Sequence, residues 1–94
     1  MNLITRVEVE NIPSMTFSME DVLTEKKPKV LRTHKLKRAL ALGNLYKRKV
    51  SVSFRTMEGR MKKVEGTIWA LGQEFVSFKK GIALPVKSIV EVNL

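Results

Sequence analysis

The sequence predicts a mainly β domain: one short N-terminal helix, then a small, strongly bent five-stranded barrel, with an extra N-terminal strand. Three observations carry this expectation. From Lys49 the hydrophobic period changes from 3.6 residues to 2. Five short period-2 segments, separated by tight-turn residues, then fill the rest of the chain. The longest of them is interrupted by Gly66, which marks a bulge or sharp bend. Strong bending lets one small sheet close on itself and hide its edges.

Taken in order, Asn2 to Glu10 alternates, with Leu3, Thr5, Val7 and Val9 on one side, and reads as a half-buried strand. Pro13 ends it, because it has no N–H for a ladder. Ser18 is placed as an N-cap, with Glu20 and Asp21 in a first helical turn. Residues 24–32 (TEKKPKVLR) read as a linker, because Pro28 pushes Lys27 out of helical space. Thr33 caps a helix to Leu42, with Leu36, Ala39, Leu40 and Gly43 as its narrow apolar stripe and Gly43-Asn44 as its C-cap. The strands follow: Val50 to Arg55; Arg60 to Leu71, bent at Gly66; Glu74 to Lys79; Ile82 to Leu84, stopped by Pro85; and Val90 to Val92. Val86 to Ile89 reads as one tight helical turn. The organisation expected is an N-terminal strand, acidic turn and linker over 1–32, then the helix and barrel over 33–94.

The chain has 94 residues, enough for one modest core. It has no Cys, so a disulfide scaffold, a thiolate metal site and a Cys nucleophile are excluded. The longest apolar runs, Ala39 to Leu42 and Ile68 to Leu71, fall far short of a membrane span, and a cytoplasmic location is expected. The net charge is +9, and it is not spread evenly. Residues 1–25 hold five acids and one base, whereas residues 26–63 hold fourteen bases and one acid, Glu58. Residues 64–94 are neutral overall. A patch this basic attracts polyanions and weakens with salt.

The short helix, the Val50-Ser51-Val52-Ser53-Phe54 strand, Gly59, Gly66-Thr67-Ile68 and Lys80-Gly81 before the fourth strand together resemble the Sm-like group of SH3-type barrels. That group includes bacterial Hfq, and the Rho-inhibiting Rof proteins have a similar barrel. The resemblance spans about Thr33 to Val92 and implies a small SH3-like barrel, RNA binding and ring-shaped oligomers. Where Sm proteins carry an Asp and an Asn for a uridine base, this chain reads Leu71-Gly72-Gln73-Glu74.

No catalytic or metal-binding pattern stands out, and no enzyme activity or cofactor is expected. His34, the single His, sits among Lys35, Lys37 and Arg38 with no orienting acid close in sequence. The candidate nucleic-acid-binding residues are Lys35, Lys37 and Arg38 on the helix; Tyr46, Lys47, Arg48 and Lys49 leading into the first barrel strand; and Arg55, Arg60, Lys62 and Lys63 flanking the first hairpin. Lys supplies point charges for phosphates, Arg supplies forked donors, and Tyr46 offers a stacking surface. Phe54, Phe75 and Phe78 are read as core or near-core, and Trp69 as core or partly buried. The partner expected is nucleic acid, RNA ahead of DNA, held mainly by its phosphates. The alternative is a protein-interaction module that docks an acidic partner or forms a homo-oligomer through the N-terminal strand.

Overall fold

Most of the expected strands form, but they fall into two sheets. The computed structural model describes residues 4–94. Its elements are β1 (Thr5–Val7), a 3-10 segment (Val9–Ser14), α1 (Lys26–Tyr46), β2 (Val50–Arg55), β3 (Met61–Gly66), β4 (Ile68–Leu71) and β5 (Phe75–Phe78). A 3-10 turn (Lys79–Gly81), β6 (Ala83–Pro85), a second 3-10 turn (Val86–Ser88) and β7 (Ile89–Asn93) complete the chain. One sheet has the order β1-β3-β2-β7 and the other β4-β5-β6. The architecture is therefore mixed helix and sheet, with one long helix and seven strands among the described residues. It is not a closed barrel: β6 and β7 are joined by the Val86–Ser88 turn and do not pair with each other.

The period-2 pattern still sets the core. Val52 pairs with Val64 and Val50 with Gly66, so alternate residues of β2 and β3 face inward together. Val50, Val52, Phe54, Val64, Ile68, Val76, Phe78, Leu84, Ile89 and Val92 are buried in one cluster fed by both sheets. The bend at Gly66 is where the chain leaves one sheet for the other. A Cβ there would lie 3.0 Å from the Phe78 ring and 3.1 Å from a Val9 methyl, so glycine fits this crossing without moving either side chain.

Three expectations fail in the N-terminal third. The first strand covers only Thr5–Val7, paired in parallel with β3 (Thr5↔Lys62, Arg6↔Lys63, Val7↔Val64); the start of the expected strand lies outside the described residues. The chain then tightens into the 3-10 segment, which buries Ile12 in the core; an extended Val9-Glu10 cannot deliver Ile12 there. Ser18 to Asp21 does not form a helical turn. Side chains close local loops instead: Glu20 N–H donates to Ser18 Oγ at 3.1 Å and Leu23 N–H to Asp21 Oδ1 at 2.9 Å.

The helix is the largest correction. It runs 21 residues, twice the length expected, and it follows β1 and the 3-10 segment. Pro28 is its third residue. First-turn N–H groups have no intrahelical acceptor, so proline is tolerated there and the expected linker becomes helix. The boundary expected at residue 32 thus falls inside α1. Gly43 is not the C-cap. It is buried where α1 meets β4, and a side chain at this position would run into the Ile68 carbonyl oxygen. The helix ends at Lys47, in left-handed backbone (φ 54, ψ 33), whose N–H donates to the Gly43 carbonyl at 2.9 Å. Packed this way, α1 bridges the sheets, touching β4 of one and β7 of the other.

Candidate functional site

The α1 sequence is rich in Lys, Arg, Leu and Ala, all strong helix formers. Its buried stripe is Arg32, Leu36, Ala39 and Gly43, at spacings of four, three and four. Leu40 and Leu42 border the stripe half-buried, and most of the other residues face outward. The helix carries seven Lys and Arg and no acid. Lys26, Lys27, Lys37 and Arg38 are exposed, and Lys29 and Lys35 are half-buried. Lys26, Lys27 and Lys29 lie in the first turn, where the helix dipole already presents positive potential. At 1.5 Å per residue the cations from Lys26 to Arg38 span about 18 Å of the helix.

Arg32 differs from the other six. It is 6% exposed, and its guanidinium forks onto Asp21: Nη1 donates to Oδ1 at 2.9 Å and Nη2 to Oδ2 at 2.7 Å. Nη1 also donates to the Ile89 carbonyl of β7 at 2.9 Å, while Nε has no partner. Burial raises the Asp21 carboxyl pKa, but the Arg32 hydrogen bonds, the Leu23 N–H and the charges of Arg32 and Lys29 outweigh it. The carboxyl therefore titrates below the ordinary aspartate value. The other ion pair among the described residues, Arg6 with Glu65 at 3.4 Å, is exposed. None of the remaining six α1 cations has a carboxylate within ion-pair distance among the described residues.

The C-terminal end of α1 continues the charge. Tyr46 is 72% exposed, and Lys47, Arg48 and Lys49 are all exposed. Thr67 Oγ1 donates to the Lys47 carbonyl at 3.4 Å and ties this end to the crossing between sheets. Lys35, Lys37, Arg38, Tyr46, Lys47, Arg48 and Lys49 therefore belong to one helix and its exit. The hairpin set does not join the Lys47 to Lys49 run. Arg55 and Arg60 sit at the far end of β2, about 17 Å from Val50. Lys62 pairs with buried Phe54 and lies on the inward side of β3, whereas Lys63 pairs with Ser53 on the opposite side. Adjacent strand residues point to opposite faces, so these two lysines cannot serve one surface.

Other residues arrive that the sequence reading omitted. Lys26, Lys27 and Lys29 extend the helical cations by two turns; a proline two residues after Lys26 is a helix-start signal as much as a stop. Lys79 and Lys80 line a groove of about 240 Å³ with Lys49, but Glu8, Glu10 and Glu65 line it too. Only tertiary contact unites those segments. Two aromatic assignments are corrected: Trp69 is 43% exposed and Phe75 49% exposed. Both lie in the three-stranded sheet, whose outer side otherwise carries Ala70, Ser77, Ala83 and Pro85, the last paired with Phe75. His34 is exposed on α1. Among the described residues no three His, Asp or Glu side chains are grouped to hold a metal, and no helix is long and apolar enough to cross a membrane. Protein-family models, curated proteins and solved structures offer no match to this chain.

Proposed function

We propose that this protein is a non-enzymatic nucleic-acid-binding domain that grips the phosphate backbone through α1 and the Tyr46 to Lys49 segment. One observation carries the reading: a 21-residue helix with seven cations, no acid, and one internal partner, Asp21. Like charges three and four residues apart repel, as do cations at a helix N-terminus. Among the described residues only Arg32 of these cations has a carboxylate within ion-pair distance, so much of that repulsion stands, and a polyanion relieves it. The strand succession supports the Sm-like resemblance: with β1 set aside, and β3 and β4 counted as one strand bent at Gly66, five strands remain, with a 3-10 turn before the last. That resemblance favours RNA. An acidic protein partner is the second reading, favoured by Leu31 and Leu45, which are 55% and 72% exposed among the cations.

The test is binding of labelled RNA and DNA across a salt series, with wild type beside Lys27→Glu/Arg38→Glu. Steep salt dependence and loss of binding in the double variant support the reading. Absence of wild-type binding at about 0.15 M salt sinks it and leaves the acidic protein.

A further inference from the structure

The arrangement of the α1 cations is more specific than their number. At 3.6 residues per turn, the direction opposite the buried stripe passes through Val30, His34 and Ala41, all exposed. Lys26 and Lys37 border this strip on one side and Lys27 and Arg38 on the other, again all exposed. The outer half of α1 is thus a ridge with a small, uncharged crest and cations along both flanks. An α-helix with its side chains is about 10–12 Å across, and the B-form DNA major groove is about 12 Å wide. The groove walls are rows of phosphates, and its floor presents thymine methyls and base-edge acceptors.

We infer that α1 enters the major groove of duplex DNA, with Lys26 and Lys37 on one phosphate wall, Lys27 and Arg38 on the other, and Val30, His34 and Ala41 facing the floor. This rests on the nucleic-acid reading above, but the groove geometry selects duplex DNA where the Sm-like resemblance favours RNA. The A-form RNA duplex carries the same phosphates, but its major groove is too deep and narrow to admit the ridge. A strip of Val, His and Ala gives apolar contact and one ring nitrogen pair, so base preference is weak and affinity is phosphate-led.

The test compares a DNA duplex and an RNA duplex of one sequence, roughly 20 base pairs long, by fluorescence anisotropy at matched salt, using the full chain. DNA is expected to bind at least about tenfold tighter, with a salt slope of about −3 to −4 from the four α1 contacts alone and steeper where Lys47 to Lys49 also meet phosphates. Dimethyl sulfate footprinting of the wild-type complex reads guanine N7 on the groove floor, and protection there is expected. Ala41→Trp thickens the crest without changing charge; it is expected to weaken DNA about tenfold while leaving RNA-duplex binding where it was. Equal affinity for both duplexes, or N7 left open, overturns the groove assignment and leaves α1 resting on the backbone of either nucleic acid. Tighter binding of a single strand than of duplex DNA overturns it as well. Failure of the wild type to bind any nucleic acid removes the underlying reading.

Discussion

Asp21 and Arg32 are joined by two hydrogen bonds, of 2.9 and 2.7 Å, at the place where α1 meets β7. The pair fastens three parts of the chain, because the same guanidinium donates to the Ile89 carbonyl at 2.9 Å. Beside it, Val22 N–H donates to the Lys87 carbonyl at 2.9 Å, so the acidic segment lies against the last turn of the sheet. Among the described residues Asp21 is the acid of the N-terminal third whose side chain pairs with the helix, and the pairing holds the fold.

Breaking this pair from one side strands the other. Arg32→Ala leaves the Asp21 carboxylate without its main donor and the Ile89 carbonyl without its side-chain donor. The expected loss is about 3 kcal/mol, as for other buried ion pairs with one partner removed. Urea unfolding measures it; a loss under about 1 kcal/mol refutes the structural role.

Acid should act through the same residue. The Asp21 carboxyl titrates below its ordinary value in the fold, so its stabilisation is fully present above the ordinary aspartate range. It is lost as pH falls from there through the lowered folded value. Thermal midpoints between about pH 2 and pH 5 should drop for the wild type and drop less for Asp21→Asn, which is less stable at neutral pH but has no proton to gain.

Gly43 is where α1 touches β4. Alanine is the better helix former by about 1 kcal/mol, so propensity alone favours Gly43→Ala. Its methyl group meets the Ile68 carbonyl oxygen, which is backbone and cannot rotate away. Overpacking of this kind costs about 1–3 kcal/mol or more, and net destabilisation is expected. Asn44→Ala, one residue on and exposed, is the control. A Gly43 variant as stable as that control would mean α1 does not lie this close to β4.

Lys47 separates stability from binding. Its left-handed backbone costs a non-glycine residue about 1 kcal/mol, so Lys47→Gly should raise stability by roughly that amount. The same change removes one cation from the helix exit. If Lys47 meets a phosphate, the salt slope for nucleic acid falls by about one. Denaturation and a salt titration on one variant read both effects.

Several features were legible from local pattern alone. Alternation placed β2 through β7, Gly66 marked the crossing, and the turn after Pro85 followed from a strand that proline ends. The charge gradient was equally plain, and with it the residues from Lys35 to Lys49. These depend on neighbours a few positions apart, and a period of 2 or an unbroken run of lysines states them directly.

Tertiary structure decided the rest. Pro28 reads locally as a stop or a start, and only packing of Arg32 and Leu36 against the sheets made it a start. Arg32 looked like one more surface cation until Asp21 and Ile89, distant in sequence, enclosed it. Gly43 looked like a cap until β4 came against it. In each case the deciding energy is burial or pairing between segments far apart along the chain, and a local pattern carries no record of which segments will meet.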